Sequence, residues 1–240
     1  MSRRFYLNKD PYGVDVEIFQ KRSVTIKPGL TVLVGCNGIG KTTLLNTIEN
    51  RLKKDKIPVF KFNNLSQGGS NSASVAFDND DFGMMAAIWS SSEGEGIISN
   101  ITYRVNPIKE FLQTGLLNDK ASRFARIWNP LTEEEMKEIK DCPERWLLFD
   151  ATDSGLSIDN VIDLKAFFKL ILEDIKDKDI YIVIAANEYE LASGENCFDV
   201  YNGKYLKFKS YEDYRNMILK SREEKNNRKI LEHKDNENDD

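Results

Sequence analysis

The stretch GCNGIGKTT, residues 35–43, lies between the apolar run TVLVG and the amphipathic run TTLLNTIENRL. It fits the pattern G-x-x-x-x-G-K-[ST] in the one setting where that spacing has physical meaning, with a strand before it and a helix after it. The glycines let successive backbone N–H groups turn inward, and the helix start adds the positive end of its dipole, so the loop forms a nest for anions. This reading places Gly35, Cys36, Asn37, Gly38, Ile39, Gly40, Lys41, Thr42 and Thr43 around the phosphates of a nucleotide. Lys41 is expected to reach the β- and γ-phosphates, and the Thr42 hydroxyl to ligate Mg²⁺. A strand, loop and helix joined in this way also commit the chain to an α/β architecture.

Further apolar runs occur at VFKF (59–62), RWLLFD (145–150) and IYIVIAA (180–186). They are continuous rather than alternating, which predicts strands covered on both faces. Ahead of the loop, RRFYLN and VDVEIFQKRSVTI alternate and predict two or three antiparallel strands. From Ile158, the residues Val161, Ile162, Phe168, Ile171, Leu172 and Ile175 share one helical face, and Ser157 is placed to cap the start. TEEE at 132–135 reads as a capping box that opens a charged helix. The Asn-Gly pair in DVYNGKYLKF predicts a hairpin, followed by a helix over SYEDYRNMILKSREEK. The expected organisation is one domain over 1–231, with a helical lobe over 82–144 and a disordered acidic tail over 232–240.

Composition narrows the partners. No apolar run approaches the roughly 20 residues that span a bilayer, and the opening MSRRFYLNKD lacks the apolar stretch of a signal peptide. No membrane partner and a cytoplasmic location are therefore expected. Cys36, Cys142 and Cys197 lack paired zinc spacing, and His233 is the only histidine. With a net charge of -5, the chain has no global attraction for nucleic acid. The local basic runs RLKKDK (51–56) and KSREEKNNRK (220–229) read as solvated helix faces.

With its flanks, VTIKPGLTVLVGCNGIGKTTLL resembles the start of an ABC-type ATPase head of the SMC and RecF-like class, whose loop carries an asparagine at the place of Asn37. LLFDATDSGLS (147–157) resembles the second signature of that class, and the resemblance makes Asp150 a holder of Mg²⁺ through a water. The implied fold is a P-loop NTPase with an ABC-like core sheet, an N-terminal antiparallel β-subdomain and a helical lobe. No sustained heptads are present, so the head is compact and without a coiled-coil arm, as in small ATPases of phage and mobile elements.

The same resemblance implies a further signature that touches the γ-phosphate of a second subunit. SSEGEG (91–96) puts Ser92, Gly94 and Glu95 in register with it, whereas the closer string LSQGGS (65–70) lies too soon after the loop. ATP would then join a homodimer head to tail, with Ser92 acting in trans. Asn187 is a candidate γ-phosphate contact and Gln67 a weaker candidate metal contact. A DNA or nuclease partner in phage or anti-phage biology is implied by the likeness, while the interval from residue 96 to Asp150 argues against a transporter motor.

One departure bears on activity. Where the class carries a glutamate that polarises the attacking water, this chain has Ala151. Three readings stay open: a Glu-to-Ala trap, a natural switch poor in hydrolysis, and transfer of the role to Asp153. Thr152 and Ser157 also differ from the class, which favours the second. General-base assistance is worth about 10²–10⁴-fold, so an ATPase of weak turnover is expected, with a non-hydrolysing ATP-sensing module as the alternative.

Overall fold

The strand that leads into the glycine-rich loop, β3 (Gly29–Val34), is an interior strand of a six-stranded sheet. The structure is a computed structural model that describes residues 2–8, 11, 17–63, 105–118 and 120–236. Beside β3 runs β6 (Asp179–Ala185), then β5 (Glu144–Asp150), with β4 (Val59–Asn63) at the edge. On the other side lie β7 (Asn196–Asp199) and β8 (Lys204–Leu206). All neighbours pair in parallel except β7 with β8, the hairpin expected at the Asn-Gly pair. A separate antiparallel pair, β1 (Arg3–Tyr6) and β2 (Ser23–Ile26), supplies the N-terminal β-subdomain. The fold is α/β with a predominantly parallel sheet, as expected.

Alternation along each strand divides the core in two. Leu147, Phe149, Ile182 and Ile184 face one layer, while Trp146, Leu148, Tyr181 and Val183 face the other. Because both faces are covered, period-two alternation is invisible in the sequence and the strands read as unbroken apolar runs. The second layer holds α1 (Lys41–Lys54) with Leu44, Leu45, Ile48 and Leu52 buried, packed with Phe5 and Val24 of the β-subdomain. The first layer holds α2 (Val105–Thr114) and α5 (Ile158–Asp174), together with the short α6 (Tyr189–Ala192). Charged helices α3 (Lys120–Trp128) and α4 (Glu133–Asp141) follow α2, and α7 (Tyr211–Asn236) ends the described chain. The tail expected from residue 232 thus begins inside the span of α7.

Two details of the helix predictions change. In α5 the buried stripe is Val161, Leu164, Phe168 and Ile171, and Ile162 is half exposed. Adjacent residues are turned by about 100° on a helix, so Ile162 beside Val161 falls off the stripe. Ser157 takes the N-cap position but its side chain makes no cap bond, whereas Thr132 and Glu135 of α4 form the full capping box.

Arg145, fully buried at the start of β5, fastens α2 and α4 to the sheet. Its guanidinium donates to the carbonyls of Leu112 (3.1 Å), Lys140 (3.0 Å), Cys142 (2.8 Å) and Glu144 (2.9 Å). Leu112 and Lys140 lie in the last turns of α2 and α4, where carbonyls have no partner within the helix and the dipole favours a cation.

Candidate functional site

Register places the site. Leu33 of β3 is level with Ala185 of β6, Ala185 with Asp150 of β5, and Asp150 with Asn63 of β4. The loop after β3, the turn after β5 and Asn187 after β6 therefore emerge side by side at the carboxyl ends of parallel strands, where open α/β sheets bind ligands. Because β6 runs between β3 and β5, Asn187 stands between the glycine-rich loop and the acidic turn.

The loop is shaped by what its neighbours exclude. Gly40 caps α1 in the left-handed region, and a Cβ there would lie 2.6 Å from Ile18 Cγ2. Ile39 is fully buried in the core beside α1, so its side chain anchors the loop and only its backbone can face a ligand. Lys41 folds back over the loop: Nζ donates to the carbonyls of Gly35 (2.7 Å) and Cys36 (3.4 Å). Burial pushes the Lys41 ammonium below its ordinary value, against opposing pulls from Cys36, Asp153 and Asp150.

Across from Lys41, Thr42 Oγ1 donates to Asp150 Oδ1 (3.1 Å), and Asn63 Nδ2 donates to Oδ2 (3.3 Å). Asp150 is buried, and that burial raises its pKa although Thr42, Lys61 and Lys41 all pull the other way. A hydroxyl and a carboxylate in contact form the hard oxygen pair that suits Mg²⁺, which is normally held by one or two carboxylates plus phosphates and waters. Among the described residues no cluster of three or more His, Cys, Asp or Glu forms a separate metal site.

The turn after Asp150 is strained and incompletely bonded. Ala151 has φ 53°, a left-handed conformation that costs a residue with a Cβ about 1–2 kcal/mol. Thr152 and Asp153 are both buried. Asp153 Oδ2 accepts from the backbone N–H of Asn187 and of Glu188 (2.8 Å), tying the acidic turn to the end of β6. Asp153 Oδ1 and Thr152 Oγ1 have no hydrogen-bond partner among the described residues. Buried polar atoms are normally bonded, so two orphans at this rim fit a site built for a polar ligand. Burial raises the Glu188 pKa, with Asp153 and Glu190 adding to the shift.

Sequence reasoning brought together Gly35 to Thr43, Asp150, Asp153 and Asn187, and the fold places all of these at one edge. Ser92, Gly94 and Glu95, with Gln67, lie outside the described residues. It missed the part of the site that comes from α7. Ser221 Oγ accepts from the N–H of Cys36 (3.1 Å), Lys225 Nζ donates to the carbonyl of Asn37 (2.8 Å), and Tyr214 Oη donates to the carbonyl of Asn187 (2.6 Å). Burial raises the Tyr214 pKa, helped by Asp153 and Glu188. A cavity of about 630 Å³ separates loop and helix, walled by Gly35, Cys36 and Asn37 on one side and by Tyr214, Arg222 and Lys225 on the other. The signal was present as a stripe, Tyr211, Tyr214, Ile218, Ser221 and Lys225 at helical spacing, but it sits within a run dominated by charge.

No family model matches this sequence, and no curated protein is similar to it in sequence. Solved structures with a similar fold include ATP-binding cassettes. A nucleotide-free cassette from an ABC transporter aligns at TM-score 0.43 and 14% identity, over 91% of this chain and 96% of that one. The ADP conformation of MJ1267, an ATP-binding cassette of an ABC transporter, aligns at 0.43 and 14%, over 91% and 94%. A cassette from Clostridium perfringens, part of the transporter complex cbiONQ, aligns at 0.41 and 18%, over 84% of each chain. Among the described residues no helix is long and apolar enough to cross a membrane.

Proposed function

We propose that this chain binds ATP with Mg²⁺ and acts as an ATP-gated switch of weak hydrolytic turnover, of the ABC and SMC-like class. The observation that carries this reading is the meeting of Lys41, Thr42 and Asp150 at the carboxyl edge of the sheet, with the Thr42 hydroxyl on the Asp150 carboxylate. Backbone N–H groups of residues 38–43 and the Lys41 ammonium would hold the phosphates. Thr42 and Asp150 would hold Mg²⁺, which when bound supplies charge neutralisation at the phosphates. Both Lys41 and Asp150 are charged groups kept out of water, and a bound magnesium nucleotide would compensate each.

The weak turnover follows from the acidic turn. Ala151 has no group that could orient a water, and one oxygen of Asp153 already accepts from two backbone N–H groups. That engagement favours a second reading, an ATP-sensing module that hydrolyses nothing useful. The homodimer joined head to tail through Ser92 rests on the register of SSEGEG (91–96) with a further signature of that class, and a DNA or nuclease partner in phage or anti-phage biology rests on the family likeness.

The test is to incubate the purified chain with ATP and Mg²⁺ and to follow phosphate release and mass in solution beside a Lys41→Ala control. Slow release above the control, with a mass that doubles in ATP, supports the switch. Release equal to the control supports the sensing module. Failure to bind ATP sinks both.

A further inference from the structure

We infer that α7 contributes a cationic clamp, Arg222 and Lys225, that binds the terminal phosphate of a nucleoside triphosphate from within the same chain, a reading that rests on the nucleotide site proposed above. Three features of the structure support it.

The first is attachment. Tyr214 is bonded to the end of β6, while Ser221 and Lys225 are bonded to the backbone of Cys36 and Asn37. The helix is thereby fixed across the mouth of the loop at both ends of the stretch that faces the cavity. Its own start is secured by Ser210, whose Oγ accepts from the N–H of Asp213 (3.2 Å). Contact with the loop is close: a Cβ at Gly38 would lie 2.6 Å from Lys225 Nζ, although that flexible tip could give way, and it is the left-handed turn at Gly38 (φ 76°) that calls for glycine.

The second is charge. Arg215, Arg222 and Lys225 line the cavity, and no carboxylate is among its described lining residues. Arg215 already pairs with Glu212 (3.2 Å), whereas Arg222 has no ion pair among the described residues. Lys225 is satisfied in part by a neutral carbonyl, a partner that a phosphate oxygen outcompetes because its negative charge adds direct attraction between opposite charges to the hydrogen bond.

The third is position. The cavity opens on the first half of the loop, beside the carbonyls of Gly35 and Cys36 that hold Lys41 Nζ, and beside Asn187. Lys41 and Asn187 are the groups assigned to the far end of the phosphate chain, so what faces α7 is the end of a triphosphate that a diphosphate lacks. An arginine here suits a phosphate by its planar fork, and a lysine by its compact charge. No second subunit is needed to complete this contact.

The experiment compares affinities of the full chain for ATP and ADP, each with Mg²⁺, by calorimetry on wild type, Arg222→Ala, Lys225→Ala and Lys41→Ala. Thermal unfolding of each variant checks that it folds. Loss of one charged hydrogen bond is worth about 10–100-fold in affinity, so each α7 variant should weaken ATP by at least about tenfold and leave ADP within about twofold. Equal weakening of both nucleotides by Lys225→Ala, together with no effect of Arg222→Ala, a residue with no hydrogen bond to the loop among the described residues, would reduce Lys225 to a support of the loop and overturn the clamp. Tighter ATP binding in either variant also overturns it, making α7 an obstruction. Wild type that binds neither nucleotide, or binds both as well after Lys41→Ala, defeats the nucleotide site itself rather than the clamp alone.

Discussion

The two ends of β5 make opposite use of buried charge. At its start, Arg145 is fully buried and its guanidinium donates to four backbone carbonyls, those of Leu112, Lys140, Cys142 and Glu144. At its finish, Asp150 is buried with a raised pKa, Ala151 is left-handed, and Thr152 and Asp153 each have one oxygen without a hydrogen-bond partner among the described residues. The same strand, with the same apolar interior, therefore begins at a charge that the fold completes and leads into a turn whose polar groups the described residues leave incompletely bonded. A polar group that is satisfied internally stabilises; one that is not marks where stability has been exchanged for binding.

The largest expected change comes from restoring a carboxylate to the incomplete end. Ala151→Glu should raise phosphate release by about 10²–10⁴-fold, the usual worth of a general base, and a flat response in a steady-state assay would place the slow step elsewhere. At the completed end, Arg145→Ala should destabilise the chain by about 3 kcal/mol, the upper cost of leaving a buried polar group unsatisfied. Urea unfolding would register this as a lower midpoint at unchanged slope, and an unchanged midpoint would erase the contrast between the ends.

Asp150→Asn should act in the other direction. Because burial raises the Asp150 pKa above its ordinary 3.8, the folded chain keeps a proton there that the unfolded chain has released. Stability of the ligand-free chain should therefore fall as pH rises from about that value through the raised one, and the wild-type minus Asp150→Asn difference in urea midpoint should trace that fall. A difference independent of pH across this window would show that the carboxylate is as well solvated folded as unfolded. The smallest effect is expected from Ala151→Gly, which removes the left-handed strain and should stabilise by up to about 1 kcal/mol, measured as a raised melting temperature. A lowered one would mean that the methyl group packs more usefully than the strain costs.

Much of this arrangement was legible in the residues. The strands at 59–62, 145–150 and 180–186, the capping box at Thr132 and the hairpin at Asn202–Gly203 follow from local rules, because strand burial, capping and turn chemistry each involve neighbours a few residues apart. Ile162 was misplaced for a related reason: helical period alone leaves the edge of a buried stripe undefined, and only packing against the sheet chooses Leu164 over Ile162.

By itself the sequence determined that a glycine-rich loop joins a strand to a helix, that Asp150 ends a buried strand, and that the residue after it lacks a carboxylate. Each of these is written in contiguous residues. Only the tertiary structure decided that β6 runs between β3 and β5, so that Asn187 stands beside the loop and Asp153 is bonded to the end of β6. Only it decided that Ser221 and Lys225 rest on Cys36 and Asn37. Those bonds join residues separated by |i−j| of 185 and 188, a distance over which no local period operates, and a lysine in a charged helix carries no mark of which way it will face until the sheet it crosses has formed.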